Sequence, residues 1–191
     1  LVDLNLKTLT DNTKKTVLSY TDTAVSGASD TQTVTVENSV VNALNFTSTT
    51  GNEGVETLDF NIASASTFVS VGGNATNTET STVNVMGAGS VELGNKTNAG
   101  LNALTGLKTF DASASTGNVT AQMTLANDMT IKTGTGDDVI VVNNTIDDKD
   151  TIDLGDGTDT LITTGNVGAK ALNISNLEKL VVKTSGAANT V

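Results

Sequence analysis

Between Asp137 and Asp159 the chain carries eight aspartates: Asp137, Asp138, Asp147, Asp148, Asp150, Asp153, Asp156 and Asp159. Lys149 is the one cation among them. Apolar, mostly β-branched runs separate the acids (Val139 to Val142, then Ile152, then Leu161-Ile162), which places them on glycine turns between short strands. Carboxylates crowded in this way repel one another unless a cation lies between them. The cation that suits them is calcium, a hard ion that takes about six to eight oxygens from carboxylates and turn carbonyls.

The spacing sharpens this expectation. Gly134-Thr135-Gly136-Asp137-Asp138-Val139-Ile140 reads G-x-G-x-D-x-U, with U a large aliphatic residue, and Gly155-Asp156-Gly157-Thr158-Asp159-Thr160-Leu161 reads the same. Asp150-Thr151-Ile152 repeats D-x-U without the glycines, so Asp138, Asp150 and Asp159 lie 12 and 9 residues apart. Glycine permits the positive φ that a tight turn needs and leaves carbonyls free to face an ion. The aliphatic residue two places after each aspartate points into the core of the strand that follows. Two such turns stacked on successive coils bring two sets of oxygens together.

With its first glycine, this pattern is the calcium-binding nonapeptide of RTX proteins; Thr133 and Leu154 stand in that first place here. The block resembles the RTX repeats of proteins exported by type I secretion. The chain as a whole is acidic, cysteine-free and rich in Thr, Asn, Ala and Gly, and carries the phrase Asn176-Leu177-Glu178-Lys179-Leu180-Val181-Val182. In this it is similar to the calcium-dependent surface-layer proteins of Gram-negative bacteria, of the Caulobacter and Campylobacter kind. The compositional likeness covers the whole chain, and the motif likeness covers about residues 133–182.

The resemblance implies a secreted, cell-surface structural protein: a β-solenoid segment that assembles with copies of itself into a lattice ordered by Ca2+. Anchoring to lipopolysaccharide would use another region. An adhesive or ligand-binding module of a type I-secreted RTX adhesin is the alternative. In either case Asp138 and Asp159 are expected to supply side-chain oxygens, with Asp150, Asp153 and Asp156 as further donors and the carbonyls of Thr133, Thr135 and Leu154 completing the shell. The step between the two good turns is 21 residues rather than 18, which favours one or two ions over a regular ladder.

Composition narrows the alternatives. The net charge is −11 and the sequence pI about 4.1, which disfavours nucleic acid and anionic membrane as partners. All ten cations are lysine, and Cys, His, Pro and Trp are absent. Disulfides and thiolate metal sites are excluded, and so is the commonest general base. Oxygen-only metal sites remain. The acid pairs Glu56/Asp59 and Asp137/Asp138 could in principle cleave a glycosidic bond, but they lack the Arg, His or Trp floor such a site uses, and no enzyme is expected. Asp148-x-Asp150 followed by Asp153 lacks the glycine and closing Glu of an EF-hand. No apolar run approaches the roughly 20 residues of a membrane span. A first residue of Leu rather than Met points to a piece of a longer chain.

The elements that must hold these residues are strands. Thr is the commonest residue, at 35 copies, and favours strands over helices. Period-two alternation marks Leu1 to Leu9, Thr31 to Glu37 with Val34 and Val36 inward, and Val40 to Thr47 with Val41, Leu44 and Phe46. Further strands are expected at Val17 to Tyr20, Val55 to Ile62, Val83 to Met86, Val91 to Leu93, across Val119 to Ile131 with a break at Asn127-Asp128, and in Ala171 to Lys183. Turns or loops are expected at residues 26–30, 51–54 and 72–82. Asn98 to Leu107, with Leu101, Leu104 and Leu107 three apart, is expected to form one or two helical turns.

Val55 to Phe60, Leu107 to Ala112 and Leu177 to Val182 share one pattern, at offsets of 52 and 70 residues, and the tails Ala63 to Ser66 and Ala112 to Ser115 are alike. An irregular repeat of short strands on Gly/Asn turns is the mark of a solenoid. The expected fold is therefore all-β, a parallel β-solenoid (β-helix or β-roll) with irregular rungs, with a β-sandwich as the alternative. Residues 1–50 would form an N-terminal strand group and residues 51–191 the solenoid, with the calcium block at 133–162. One continuous body is an equal option.

Overall fold

The computed structural model describes residues 1–11, 13, 15–48, 54–72, 78–94, 99–124, 127–143, 146–164 and 171–183. Sixteen strands follow one another: β1 (Leu4–Lys7), β2 (Lys15–Tyr20), β3 (Thr31–Glu37), β4 (Val40–Ser48), β5 (Thr57–Ile62), β6 (Ser66–Gly72), β7 (Thr82–Gly87), β8 (Val91–Leu93), β9 (Thr109–Ser115), β10 (Val119–Met123), β11 (Thr130–Lys132), β12 (Val139–Val142), β13 (Thr151–Asp153), β14 (Thr160–Thr163), β15 (Asn173–Ser175) and β16 (Lys179–Val182). The one helical element among the described residues is a 3-10 turn at Asp22–Ala24.

Odd-numbered strands form one eight-stranded sheet, here sheet A, and even-numbered strands form a second, sheet B; every pairing is parallel. Each coil therefore spends one strand in each sheet, and eight coils stack. This is a parallel β-solenoid. A β-sandwich of hairpins would need antiparallel neighbours, and none is present among the described strands. The pairings β3 to β5 and β4 to β6 run across the position of residue 50, so both sheets are continuous there. The 51–53 part of the expected turn, residues 73–77 of the expected loop, and Asn98 lie outside the described residues. At the end of that loop, Thr80 is buried and its hydroxyl donates to the Val55 carbonyl at 2.7 Å.

Alternation sets the core. Leu58, Val83, Phe110, Ile131 and Ile152 stack from sheet A, and Phe68, Leu93, Ala121, Ile140 and Leu161 from sheet B; each is fully buried. Phe60 and Phe68 meet edge to face across the interior, with ring centroids 5.4 Å apart. In the first two coils the interior is partly polar. Gln32 is buried, accepts from the Tyr20 hydroxyl at 2.9 Å and donates to the Val2 and Thr33 carbonyls. In the eighth coil Leu180 stands at the inward register position yet is exposed.

Coils are joined by two kinds of corner. The tight corner leads from sheet A to sheet B, and the wide corner leads from sheet B to the next strand of sheet A. Leu101, Leu104 and Leu107 all lie on one wide corner, and all are buried. Their spacing of three is real, but the segment is a run of turns (Leu104 N–H to Leu101 O, Leu107 N–H to Leu104 O) rather than a helix. Three leucines on successive turns close the coil end without needing a helical ladder.

The repeat also resolves. Thr57, Thr82 and Thr109 lie in register, so Val55 to Phe60 and Leu107 to Ala112 occupy the same place two coils apart. Leu177 to Val182 instead runs from the tight corner into sheet B. The two similar tails also part company: Ala63 to Ala65 form a corner, whereas Ala112 to Ser115 lie within β9, beside a bulge in its pairing with β7.

Candidate metal centre

Wherever the chain turns tightly from sheet A to sheet B, the backbone of one coil lies almost on that of the next. A Cβ at Gly134 would overlap the Ser115 carbonyl, one at Gly155 the Gly134 carbonyl, and one at Gly157 the Gly136 carbonyl. Gly155 also sits at φ +76°. The two glycines of each G-x-G are therefore set by close stacking of corner on corner, and Gly87 and Gly89 meet Ile62 and Ser64 in the same way two coils earlier.

The residue at the end of each tight corner faces a second demand: its neighbour's N–H on the preceding coil needs an acceptor. Asp138 Oδ1 accepts from Val119 N–H at 2.7 Å, Asp159 Oδ1 from Asp138 N–H at 2.7 Å, and Glu178 Oε2 from Asp159 N–H at 2.7 Å. Further up the same column, hydroxyls take the place of carboxylates. Ser39 Oγ accepts from Leu9 N–H and Ser66 Oγ from Ser39 N–H. In between, carbonyls serve: Ser90 O accepts from Ser66 N–H and Asn118 O from Val91 N–H. Glu178 and the two serines escaped the reading of the sequence. The signal that could have found them is their place, at or next to the first residue of a sheet-B strand.

Each carboxylate in the column has a second oxygen. Asp138 and Asp159 are both fully buried, and Oδ2 of each has no hydrogen-bond partner. The Thr133 hydroxyl lies close, but its proton goes to the Leu154 carbonyl at 2.6 Å. Burial pushes the Asp138 carboxyl up to about 6; the Val119 N–H, the nearby Thr133 hydroxyl and the Gly134 N–H oppose this, and the charge of Asp159 adds to it. The Asp159 carboxyl is likewise raised, first by burial and also by the charges of Glu178, Asp137 and Asp156, with the Asp138 N–H pulling it back. Two buried anionic oxygens without donors are what a hard cation would satisfy.

Of the remaining expected donors, Asp150 and Asp153 fall elsewhere, while Asp156 and Thr135 share the tight corners but face solvent. Asp150 ends the wide corner, where its two oxygens accept from Met129 and Asp147 N–H, each at 3.0 Å. It belongs to a different corner from Asp138 and Asp159. Asp153, the last residue of β13, accepts from Asn176 Nδ2 at 2.6 Å, and this bond holds its carboxyl below the usual range. Asp156 is exposed, and its N–H goes to the Gly134 carbonyl. Thr135 is also exposed. Among the described residues no three acids converge in a ready-made metal site. The acids considered for glycosidic chemistry are engaged in single structural bonds: Glu56 with Asp30 N–H, Asp59 with Asn84, and Asp137 with Thr158 N–H.

A shallow trough lies on the same side of the molecule over the second to fifth coils, about 430 Å³ in volume, between Asn38 and Thr120. Among the described residues no helix is long and apolar enough to cross a membrane. Comparison with protein-family models, with curated proteins and with solved structures finds no match to this chain.

Proposed function

We propose that this chain is a non-catalytic structural segment of a secreted, calcium-binding RTX-type surface-layer protein of bacteria, which assembles with copies of itself into a lattice. The observation that carries the calcium part is the pair of buried, donor-less oxygens, Asp138 Oδ2 and Asp159 Oδ2, on adjacent coils. Calcium, when bound, supplies the positive charge those oxygens lack. The chain's own residues do the rest: the stacked glycines bring the corners together, and the N–H groups of Val119 and Asp138 hold the Oδ1 atoms, fixing where each Oδ2 points. The lattice part draws on the resemblance and on a fold of stacked coils that make a stiff wall.

Extracellular calcium modules bind at roughly 10⁻⁴ to 10⁻³ M. At millimolar calcium that is on the order of 1 kcal/mol, or about 2 to 4 °C in melting temperature for a chain of this size. The test is thermal unfolding in EGTA, in a few millimolar calcium, and in magnesium. A calcium-specific rise that is lost in Asp138→Asn and Asp159→Asn but kept in Glu92→Gln is expected. No rise, or the same rise in all three variants, refutes the site. Electron microscopy of the calcium-loaded protein then looks for ordered arrays. The adhesive alternative is favoured by the trough over the second to fifth coils and separates from the first by a monodisperse protein that binds a glycan.

A further inference from the structure

The trough lies over the tight corners of the second to fifth coils. Residues 38–39, 63–65, 88–90 and 116–118 make these corners, each of two or three residues. The floor is built of small residues, and the lining is polar at Asn38, Thr67, Ser90, Glu92, Asn118 and Thr120, with Val40 exposed beside them. Val40, Thr67, Glu92 and Thr120 are register partners on successive strands, one coil apart, and the last three make a polar row.

We propose that this trough binds a linear, uncharged oligosaccharide lying along the solenoid axis. Hydroxyl, carboxamide and carboxylate groups recur at the coil spacing of about 4.8 Å, so a run of sugar rings can offer each coil a hydroxyl. The Glu92 carboxylate, at the middle of the trough, accepts from a sugar diol more strongly than a neutral group would. Among the described residues no lysine lines the trough, and the chain carries a net charge of −11, so anionic glycans and phosphates are turned away. A peptide added as a strand is also disfavoured. The N–H groups of Ser39, Ser66 and Val91 along the floor are already satisfied by the next coil, leaving none of them for an incoming chain.

The inference rests on the adhesive reading, and its failure leaves the calcium and array experiments untouched. The experiment is calorimetric or NMR titration of the whole chain with tetrasaccharides of glucose, in β1-4 and α1-4 linkage, and of N-acetylglucosamine, with tetragalacturonate as the anionic control. Saturable binding of a neutral probe and none of the anionic one is expected. Glu92→Gln, which removes the charged acceptor, and Ser90→Tyr, which fills the opening from an exposed position, should each weaken it about tenfold or more. Thr33→Tyr, on the outer face of sheet A, should leave it unchanged. Absence of saturable binding to every neutral probe, or equal affinity in the two trough variants and the parent, overturns the proposal. So does preference for tetragalacturonate.

Discussion

Asp159 meets two separate demands, and they can be pulled apart. Its Oδ1 accepts the buried N–H of Asp138, while its charge sits among those of Glu178, Asp137 and Asp156. Asp159→Asn keeps the acceptor and removes the charge, so in EGTA at neutral pH it should melt above the parent. Asp159→Ala removes the acceptor and leaves the Asp138 N–H buried without a partner, at a cost of about 1 to 3 kcal/mol. Opposite signs in the two variants, read by thermal unfolding, support the twofold role; a common sign refutes it.

The pH dependence follows from the same residues. A carboxyl whose folded value is raised, as for Asp138 at about 6, holds its proton more tightly in the folded state. Its contribution is full below the unfolded value of 3.8 and is lost as pH rises through about 6. The lowered carboxyl of Asp153 acts the other way: its contribution is present above the ordinary value and is lost in acid. In EGTA the melting temperature should therefore fall between pH 4 and pH 7, and millimolar calcium should flatten that fall. A metal-free profile that climbs steadily over the same range contradicts the assignment for Asp138.

At the scale of the element, the tight corner is a device for bringing backbones into contact, and glycine is its price. Gly155→Ala forces a side chain onto a residue at φ +76° and against the Gly134 carbonyl. Strain of this kind costs about 1 to 3 kcal/mol, and denaturant unfolding should show it. Gly27→Ala is the matched control: its Cβ would meet only the Asp30 side chain, which can swing aside, so the change should stay within about 0.5 kcal/mol. Equal losses at both positions would mean that corner stacking is not what selects the glycines.

Across the whole molecule each coil touches only its neighbours, so stability is a sum of nearest-neighbour terms. The central coils are covered on both sides and their inward residues are fully buried. In the last described coil Leu180 is 39% exposed and Ile174 only partly buried. Amide hydrogen exchange should therefore be slowest in β7 to β12 and markedly faster in β15 and β16. Uniform protection along the axis would show instead that the coils open as one unit. Calcium at Asp138 and Asp159 sits next to the less protected end, so it should slow exchange most in β14 to β16.

Much of this architecture could be read from the residues alone. Alternation identified the inward residues Val34 and Val36, because a strand with one buried face obeys a period of two, whereas Val41 and Leu44 are three apart and both buried in a strand whose residues 43–46 are all covered. The paired G-x-G-x-D-x-U turns pointed to a solenoid and to Asp138 and Asp159 as the acids of interest, because local turn chemistry is local. What one coil places over the next was not legible. The register steps down sheet A are 26, 25 and 27 residues from Thr31 to Thr109, then 21, 21 and 22 to Asn173. No fixed period predicts partners through such a change. The tertiary structure alone therefore decided that Asp138 stacks on Asp159 while Asp150 serves another corner. It also decided that Leu177 to Val182 belongs to the opposite sheet from its look-alikes, and that two carboxylate oxygens are left buried without donors. Which face a residue takes is a property of its own strand, but what it meets there depends on the length of every corner between.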